Sequence, residues 1–218
     1  MFQGSSPYSD FVDSTFLMIV GISLLVLLGL VITMVTFAVR YSRKKNPHPT
    51  NIEGNLRLEI LWTVIPLGLF MGMFYLGWKG YLRTIDIPEG AVPISVTAQM
   101  WSWTFEYPNG VKTDTLYVPV NTPVKLTLRS ADVNHSLYIP AFRIKKDVIP
   151  NRENVLWFQT HALESYDIAC AEYCGLRHSY MYTKVVSRDS AGFELWYDQM
   201  SQQQGKQYRP ILAVEASH

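Results

Sequence analysis

The chain has 218 residues with 19 Lys+Arg against 18 Asp+Glu, so its net charge is near zero, and it lacks the basic excess of a nucleic-acid binder. Twenty-nine aromatic residues (10 Phe, 6 Trp, 13 Tyr) exclude a disordered chain, and two cysteines exclude a disulfide scaffold. Charged residues make up only 17%, and their absence is concentrated at the N-terminal end, which excludes a wholly soluble protein.

Phe16 to Val39 is a run of 24 residues with no Asp, Glu, Lys, Arg or His. As a helix at ~1.5 Å per residue it spans about 36 Å, enough to cross a hydrocarbon core of about 30 Å with some tilt. A second uncharged run of 19 residues, Ile60 to Trp78, ends in Trp78 and Lys79, which suit a membrane interface. Pro66 within it is expected to kink the helix without ending it. The competing readings are buried core helices, or a signal peptide for the first run. That run exceeds the 7–15 residues typical of such a segment, and Met1–Thr15 carries Asp10 and Asp13 but no Lys or Arg. The connector holds Arg40, Arg43, Lys44, Lys45 and Arg57 against Glu53 alone. By the positive-inside tendency it is cytoplasmic, and both termini face outward. The expectation is a transmembrane hairpin in residues 1–90, with helices over about 14–41 and 58–80.

From about Ala91 the period changes. Alternation at Ile94–Ala98, in part at Val111–Val118 and cleanly at Val124–Leu128 predicts strands. Trp101–Tyr107 and Val111–Val118 flank Pro108-Asn109-Gly110, a hairpin turn signal because Asn-Gly accepts positive φ. Further strands are expected at Asn154–Thr160, Ser165–Cys170 and Met181–Ser187, with a closing helix over Phe193–Met200. The fold class is membrane-anchored all-β, with a Greek-key β-sandwich over residues 91–200 and a polar, Gln-rich tail over 201–218.

Cys170-Ala-Glu172-Tyr-Cys174-Gly-Leu-Arg-His178-Ser-Tyr-Met181 gathers two thiols, an imidazole and a thioether within twelve residues. His135 lies about 35 residues upstream, just after a predicted strand. One Cys, two His and a weak Met form a mononuclear blue-copper set. The extra Cys170 points to two coppers sharing both sulfurs. Two thiolates then balance two Cu(I), and removing one electron leaves a single positive charge spread over two metals. A disulfide between the cysteines and a Cys₂His₂ zinc site are the competing readings, the latter leaving Met181 unexplained. A c-type haem needs Cys-x-x-Cys-His, which is not present. His48, His161 and His218 have no ligand partners in sequence and read as surface or loop residues.

The string Cys-x-Glu-x-Cys-x-x-x-His-x-x-Met, an upstream Asp132-x-x-His135-Ser136 and the run Lys145-Lys-Asp147-Val-Ile-Pro150-Asn-Arg152 resemble subunit II of the haem-copper cytochrome c oxidases, in the branch with a binuclear copper centre. The resemblance covers nearly the whole chain and implies a cupredoxin-like outward domain. It implies His135, Cys170, Cys174, His178 and Met181 as side-chain ligands and Glu172 as a ligand through its carbonyl. The Glu172 carboxylate would reach a magnesium ion shared with subunit I. Trp101 matches the entry point for electrons from a c-type cytochrome, Asp132 an acidic residue near the docking surface, and Glu59 the mouth of a proton path into subunit I. A capping role is the alternative for Asp132, a sandwich-core position for Trp101, and a helix-start carboxylate for Glu59.

Departures are Asn151 where the family usually has Gly, Leu137-Tyr138 after His135-Ser136, and Ser102 between two tryptophans. The implied function is electron entry into an oxidase that reduces oxygen and pumps protons, with other oxidase subunits, a c-type cytochrome and the lipid bilayer as partners. The implied location is a bacterial plasma membrane or the mitochondrial inner membrane. The rival readings are a copper-free quinol-oxidase scaffold, a membrane-anchored copper-binding protein and a nitric oxide reductase subunit of the same copper type.

Overall fold

The computed structural model describes residues 5–48, 50–51 and 53–207. These form two compact units: Asp13–Gly80, and Tyr81 onward together with the N-terminal residues up to Val12.

Two long helices carry the apolar runs, α1 (Pro7–Arg40) and α2 (Leu56–Ile85). Helix α1 begins earlier than its uncharged run because Ser6 and Ser9 cap it reciprocally. Ser6 Oγ accepts from the Ser9 amide at 3.2 Å, Ser9 Oγ accepts from the Ser6 amide at 3.1 Å, and Pro7 takes the first helical position. Asn55 caps α2, its Oδ1 accepting from the amides of Arg57 (3.1 Å) and Leu58 (3.3 Å). The helix runs through Pro66 without a break. None of the most apolar stretch of either helix is buried by the chain itself. Leu25 is 73% and Phe74 65% exposed, which rules out a soluble-core reading for either helix.

The larger unit is a β-sandwich. Strands β1 (Val92–Gln99), β2 (Ser102–Glu106), β3 (Lys112–Thr113), β4 (Leu116–Pro119), β5 (Val124–Ser130), β6 (His135–Ile139), β7 (Ile144–Val148), β8 (Asn154–Phe158), β9 (Ser165–Cys170) and β10 (Tyr182–Arg188) precede α3 (Ser190–Gln203). One sheet has the order β3-β2-β1-β5-β8 and the other β4-β10-β9-β6-β7. Alternation places Ile94, Val96 and Ala98 of β1 and Val124, Leu126 and Leu128 of β5 on the inner face. From the opposite sheet come Leu137, Ile139, Ile168 and Val185.

The Asn109-Gly110 turn forms as expected, with Gly110 at φ 83° and the Asn109 side chain accepting from the Val111 amide at 3.1 Å. Val111–Val118, expected as one strand, is broken. Lys112–Thr113 pairs with β2, while Leu116–Pro119 pairs with β10 of the other sheet. The chain changes sheets at Asp114-Thr115, where Thr183 Oγ1 donates to the Asp114 carbonyl at 2.6 Å. Tyr107 joins the two sheets behind this crossing. Its buried hydroxyl donates to the Tyr117 carbonyl at 2.8 Å and accepts from the Tyr117 amide at 2.9 Å.

Helix α3 extends the expected Phe193–Met200 segment at both ends, capped by Asp189, and packs Phe193, Trp196 and Tyr197 around the Tyr107 ring. Ser201, expected to open a polar tail, is buried and receives Asn109 Nδ2 at 2.7 Å. Gln204 then grips the edge strand β3: its Oε1 accepts from the Lys112 amide at 3.0 Å and its Nε2 donates to the Lys112 carbonyl at 2.8 Å. Residues 208–218 of the expected tail lie outside the described residues.

Candidate metal centre

Strands β9 and β10 are antiparallel neighbours, and the segment joining them is the sulfur-rich loop. Its base is closed by the Cys170 amide donating to the Met181 carbonyl at 3.1 Å. Strand β6 lies on the other side of β9, with Leu137 opposite Cys170. His135 is two residues earlier on β6, so the register carries it past the end of β9 and over the loop. His135 follows β5 as expected and itself opens β6. Ala171 donates its amide to the Ser136 carbonyl at 2.9 Å, which ties the loop to β6.

The loop backbone needs Gly175, at φ 114°, and ends in a short 3₁₀ turn over His178–Tyr180 that delivers Met181 inward. His135, Cys170, Cys174 and Met181 are all buried, and His178 is half-buried. Ligand atoms of His135, Cys170 and Cys174 all fall within 4.8 Å of one another.

The two sulfurs are 3.8 Å apart and both cysteines are free. A disulfide needs about 2.05 Å, so the bridged reading does not describe this arrangement. A first-row metal lying about 2.3 Å from each thiolate spans such a gap. Each sulfur has its own companions. Cys170 Sγ is 3.8 Å from His135 Nδ1 and 3.3 Å from the Glu172 carbonyl; Cys174 Sγ is 3.5 Å from His178 Nδ1 and 3.8 Å from Met181 Sδ. The six donors expected from the sequence therefore meet in one cluster. Soft sulfur donors with two imidazoles fit copper, and two thiols with separate companions supply enough donors for two ions.

Burial, the neighbouring Cys170 and the hydrogen bond between the two sulfurs push the Cys174 thiol up to about 11. Metal-free Cys174 is thus held protonated at neutral pH, and metal binding to its sulfur must displace that proton. On the far side of the His135 ring, Nε2 lies 2.8 Å from Asp132 Oδ1. That bond leaves Nδ1 as the free ligand nitrogen. Asp132 also accepts from the Met100 and Val133 amides, each at 2.7 Å. Burial disfavours its charge, but the Met100 amide, the His135 ring and the Val133 amide outweigh this and hold it below the usual carboxylate range. Its carboxylate points inward to cap a turn and hold the His135 ring.

Trp101 sits in the turn between β1 and β2, half-buried, after a cis Met100–Trp101 peptide. A Cβ added at Gly175 would lie 3.5 Å from the Trp101 indole and 3.8 Å from Met100 Sδ, so both pack directly on the metal loop. Trp103 was not singled out from the sequence. It is 3% exposed, meets the His135 ring edge-on at 6.2 Å and donates Nε1 to the Met181 carbonyl at 3.5 Å. Its inward position in the Trp101-Ser102-Trp103 alternation was the available signal. The Glu172 carboxylate turns outward to Lys145 Nζ at 2.9 Å, and the same amine meets Asp147 Oδ1 at 3.0 Å. Glu59 is exposed in the first turn of α2, within the other unit.

The family model described as the periplasmic domain of cytochrome c oxidase subunit II matches residues 110–188, and the model of that subunit's transmembrane domain matches residues 3–74. The cytochrome c oxidase subunit 2 of Cereibacter sphaeroides is 29% identical over 209 residues, covering 76% of this chain and 68% of the relative. That of Alkalihalophilus pseudofirmus is 30% identical over 196 residues, covering 84% of this chain and 57% of the relative. Among solved structures, the periplasmic domain of subunit II of cytochrome oxidase of Bradyrhizobium japonicum is similar to the sandwich. It is 26% identical with a TM-score of 0.52, covering 54% of this chain and 99% of that one. Two apolar helices, a cupredoxin-like sandwich and matches to both family models lead to one assignment: the chain belongs to the cytochrome c oxidase subunit II family, as a membrane-anchored subunit of an oxidase complex.

Proposed function

We propose that this chain is the electron-entry subunit of a respiratory haem-copper oxidase, accepting electrons from a c-type cytochrome and passing them to a haem in subunit I. The observation that carries the reading is the pair of buried sulfurs 3.8 Å apart, each with its own imidazole nitrogen at 3.8 or 3.5 Å. His135, Cys170, Cys174, His178, Met181 and the Glu172 carbonyl would hold two copper ions. When bound, the copper pair supplies one-electron redox chemistry at little reorganisation cost. The protein's part is to keep the donors still. The β9–β10 base, the Ala171–Ser136 bond and the Asp132–His135 bond fix the loop and one imidazole, and burial excludes water.

Trp101, packed on Gly175, is the proposed entry point for the electron. The Glu172 carboxylate, 45% exposed and paired with the Lys145 ammonium at 2.9 Å, is the group on this chain that would reach a magnesium ion at the subunit I boundary. Glu59 at the start of α2 is proposed as the mouth of a proton path into subunit I, on the side facing the basic connector. The hairpin lies in the lipid bilayer with that connector inside and the sandwich on the outer face of a bacterial plasma membrane or mitochondrial inner membrane.

The test is metal content and spectroscopy of the copper-loaded protein. Two coppers per chain with a mixed-valence electron-spin signal shared over both are expected. One copper with an intense blue band would assign a single-copper site, and none would assign a scaffold.

A further inference from the structure

We infer that the donor docks on this subunit through an apolar face with no net charge, so that electron entry is governed by apolar contact and not by electrostatic steering. The inference rests on the electron-entry reading and specifies the kind of cytochrome that fits it: one whose surface around the exposed haem edge is apolar and near neutral.

Trp101 lies at the centre of the face. Met100 is 44% exposed and packs with Trp101 on Gly175, whose neighbour Leu176 is 87% exposed. Val133 is 38% exposed, next to the Asp132 that binds the Met100 amide. Tyr182, 63% exposed, shares a cleft of about 360 Å³ with Trp101. Four large apolar or aromatic side chains are thus presented to water around the tryptophan that touches the metal loop. Such a cluster is costly to leave open and marks an interaction site.

Charge is arranged to cancel. Between Ala91 and Gln207 the sequence has eleven Lys or Arg and eleven Asp or Glu. Asp132, whose carboxylate binds the Met100 amide, has a side chain only 20% exposed and turned inward to His135 and two amides, and the cleft beside Trp101 is lined by one charge of each sign, Asp114 and Lys184. Five other carboxylates face cations of the same chain: Glu106 meets Lys112 at 3.3 Å, Asp167 meets Lys184 at 3.9 Å, Glu153 meets Arg129, and Asp147 and Glu172 share Lys145. Charges balanced in number and largely paired leave little net field beyond a Debye length of about 8–10 Å, so a strongly basic donor is steered only weakly.

The experiment uses the intact, copper-loaded oxidase complex with its own c-type cytochrome, following electron entry by stopped flow between about 10 and about 200 mM ionic strength. The second-order rate is expected to change by less than about twofold, against the steep fall of a steered encounter. A tenfold or greater fall overturns the inference. Tyr182→Ser and Leu176→Ser, whose side chains are 63% and 87% exposed, are expected to raise KM for the cytochrome roughly tenfold without altering the copper spectrum or the rate of reduction by a small uncharged aromatic amine. An unchanged KM overturns it. So does release of another oxidase subunit by these variants, which would assign the face to a subunit boundary. A complex without the copper pair defeats the parent reading, whereas a loaded centre with steep salt dependence defeats only this one.

Discussion

Asp132 Oδ1 stands 2.8 Å from His135 Nε2, opposite the ring nitrogen that faces Cys170. An acidic side chain close to the proposed entry surface is therefore a holder of a proposed metal ligand. Asp132→Asn keeps the volume but weakens the grip on the ring and on the Met100 and Val133 amides. Copper affinity is expected to fall about 10–100-fold, measured by competition with a chelator. An unchanged affinity would show that the ring is oriented by packing alone, chiefly by Trp103.

Cys170→Ser removes one of two sulfurs 3.8 Å apart and replaces it with a hard, poorly ionised donor. The mixed-valence signal is expected to vanish and copper content to fall to one ion or none, with electron entry sharply slowed. Retention of the delocalised signal would defeat the shared-sulfur arrangement.

Gly175→Ala tests the loop backbone. Space is available, since the added carbon would meet Trp101 at 3.5 Å, but φ 114° is a conformation that alanine resists. A cost of about 1–3 kcal/mol is expected, together with an altered copper spectrum. A variant with native stability and spectrum would show that the loop relaxes without penalty.

Tyr107→Phe removes the buried hydroxyl that joins two sheets through both backbone groups of Tyr117. Thermal or chemical unfolding is expected to show a loss of about 1–3 kcal/mol, because the tyrosine's two hydrogen-bond partners lose their buried contact. The metal spectrum should not change, as the hydroxyl bonds the Tyr117 backbone and not a candidate ligand.

Asp147 carries a modest pH dependence. The Lys145 ammonium and then the Ser136 hydroxyl hold its carboxyl below the usual range, against the smaller effect of burial. A carboxyl depressed in the folded state adds stability above its unfolded value of about 3.9 and loses it as pH falls through the folded value. Its side chain is 50% exposed, so solvent screening keeps the contribution under about 1 kcal/mol. Asp147→Asn is expected to lower stability slightly at pH 7 and not at pH 2, in unfolding curves of the metal-free protein. Equal loss at both would assign the effect to packing.

The hairpin was legible because uninterrupted apolar runs have no other use at that length, and β1 and β5 because one buried face imposes a period of two. The cluster of His135, Cys170, Glu172, Cys174, His178 and Met181 was legible from donor chemistry, spacing and the family resemblance taken together, and its role as a ligand set is proposed. Strands β6 and β7 were not, since Lys145, Lys146 and Asp147 crowd a short edge strand and His135 reads as a loop ligand. The break in Val111–Val118 was hidden too, because a strand that changes sheets keeps its alternation while exchanging partners. Asn151 adopts φ 59°, the left-handed conformation that a glycine would otherwise supply, so its departure from the family pattern leaves the backbone intact. The inward role of Asp132 needed three dimensions, because its partners include the amide of Met100, 32 positions away.

The two-pronged grip of Gln204 on Lys112 has a meaning beyond local stability. A carboxamide offers one acceptor and one donor in the same order as a backbone peptide, so it imitates the next strand that a bare sheet border would otherwise recruit. With that border sealed, a foreign chain cannot zip onto it, and copies of the domain crowded at a membrane surface are kept from templating one another into aggregates.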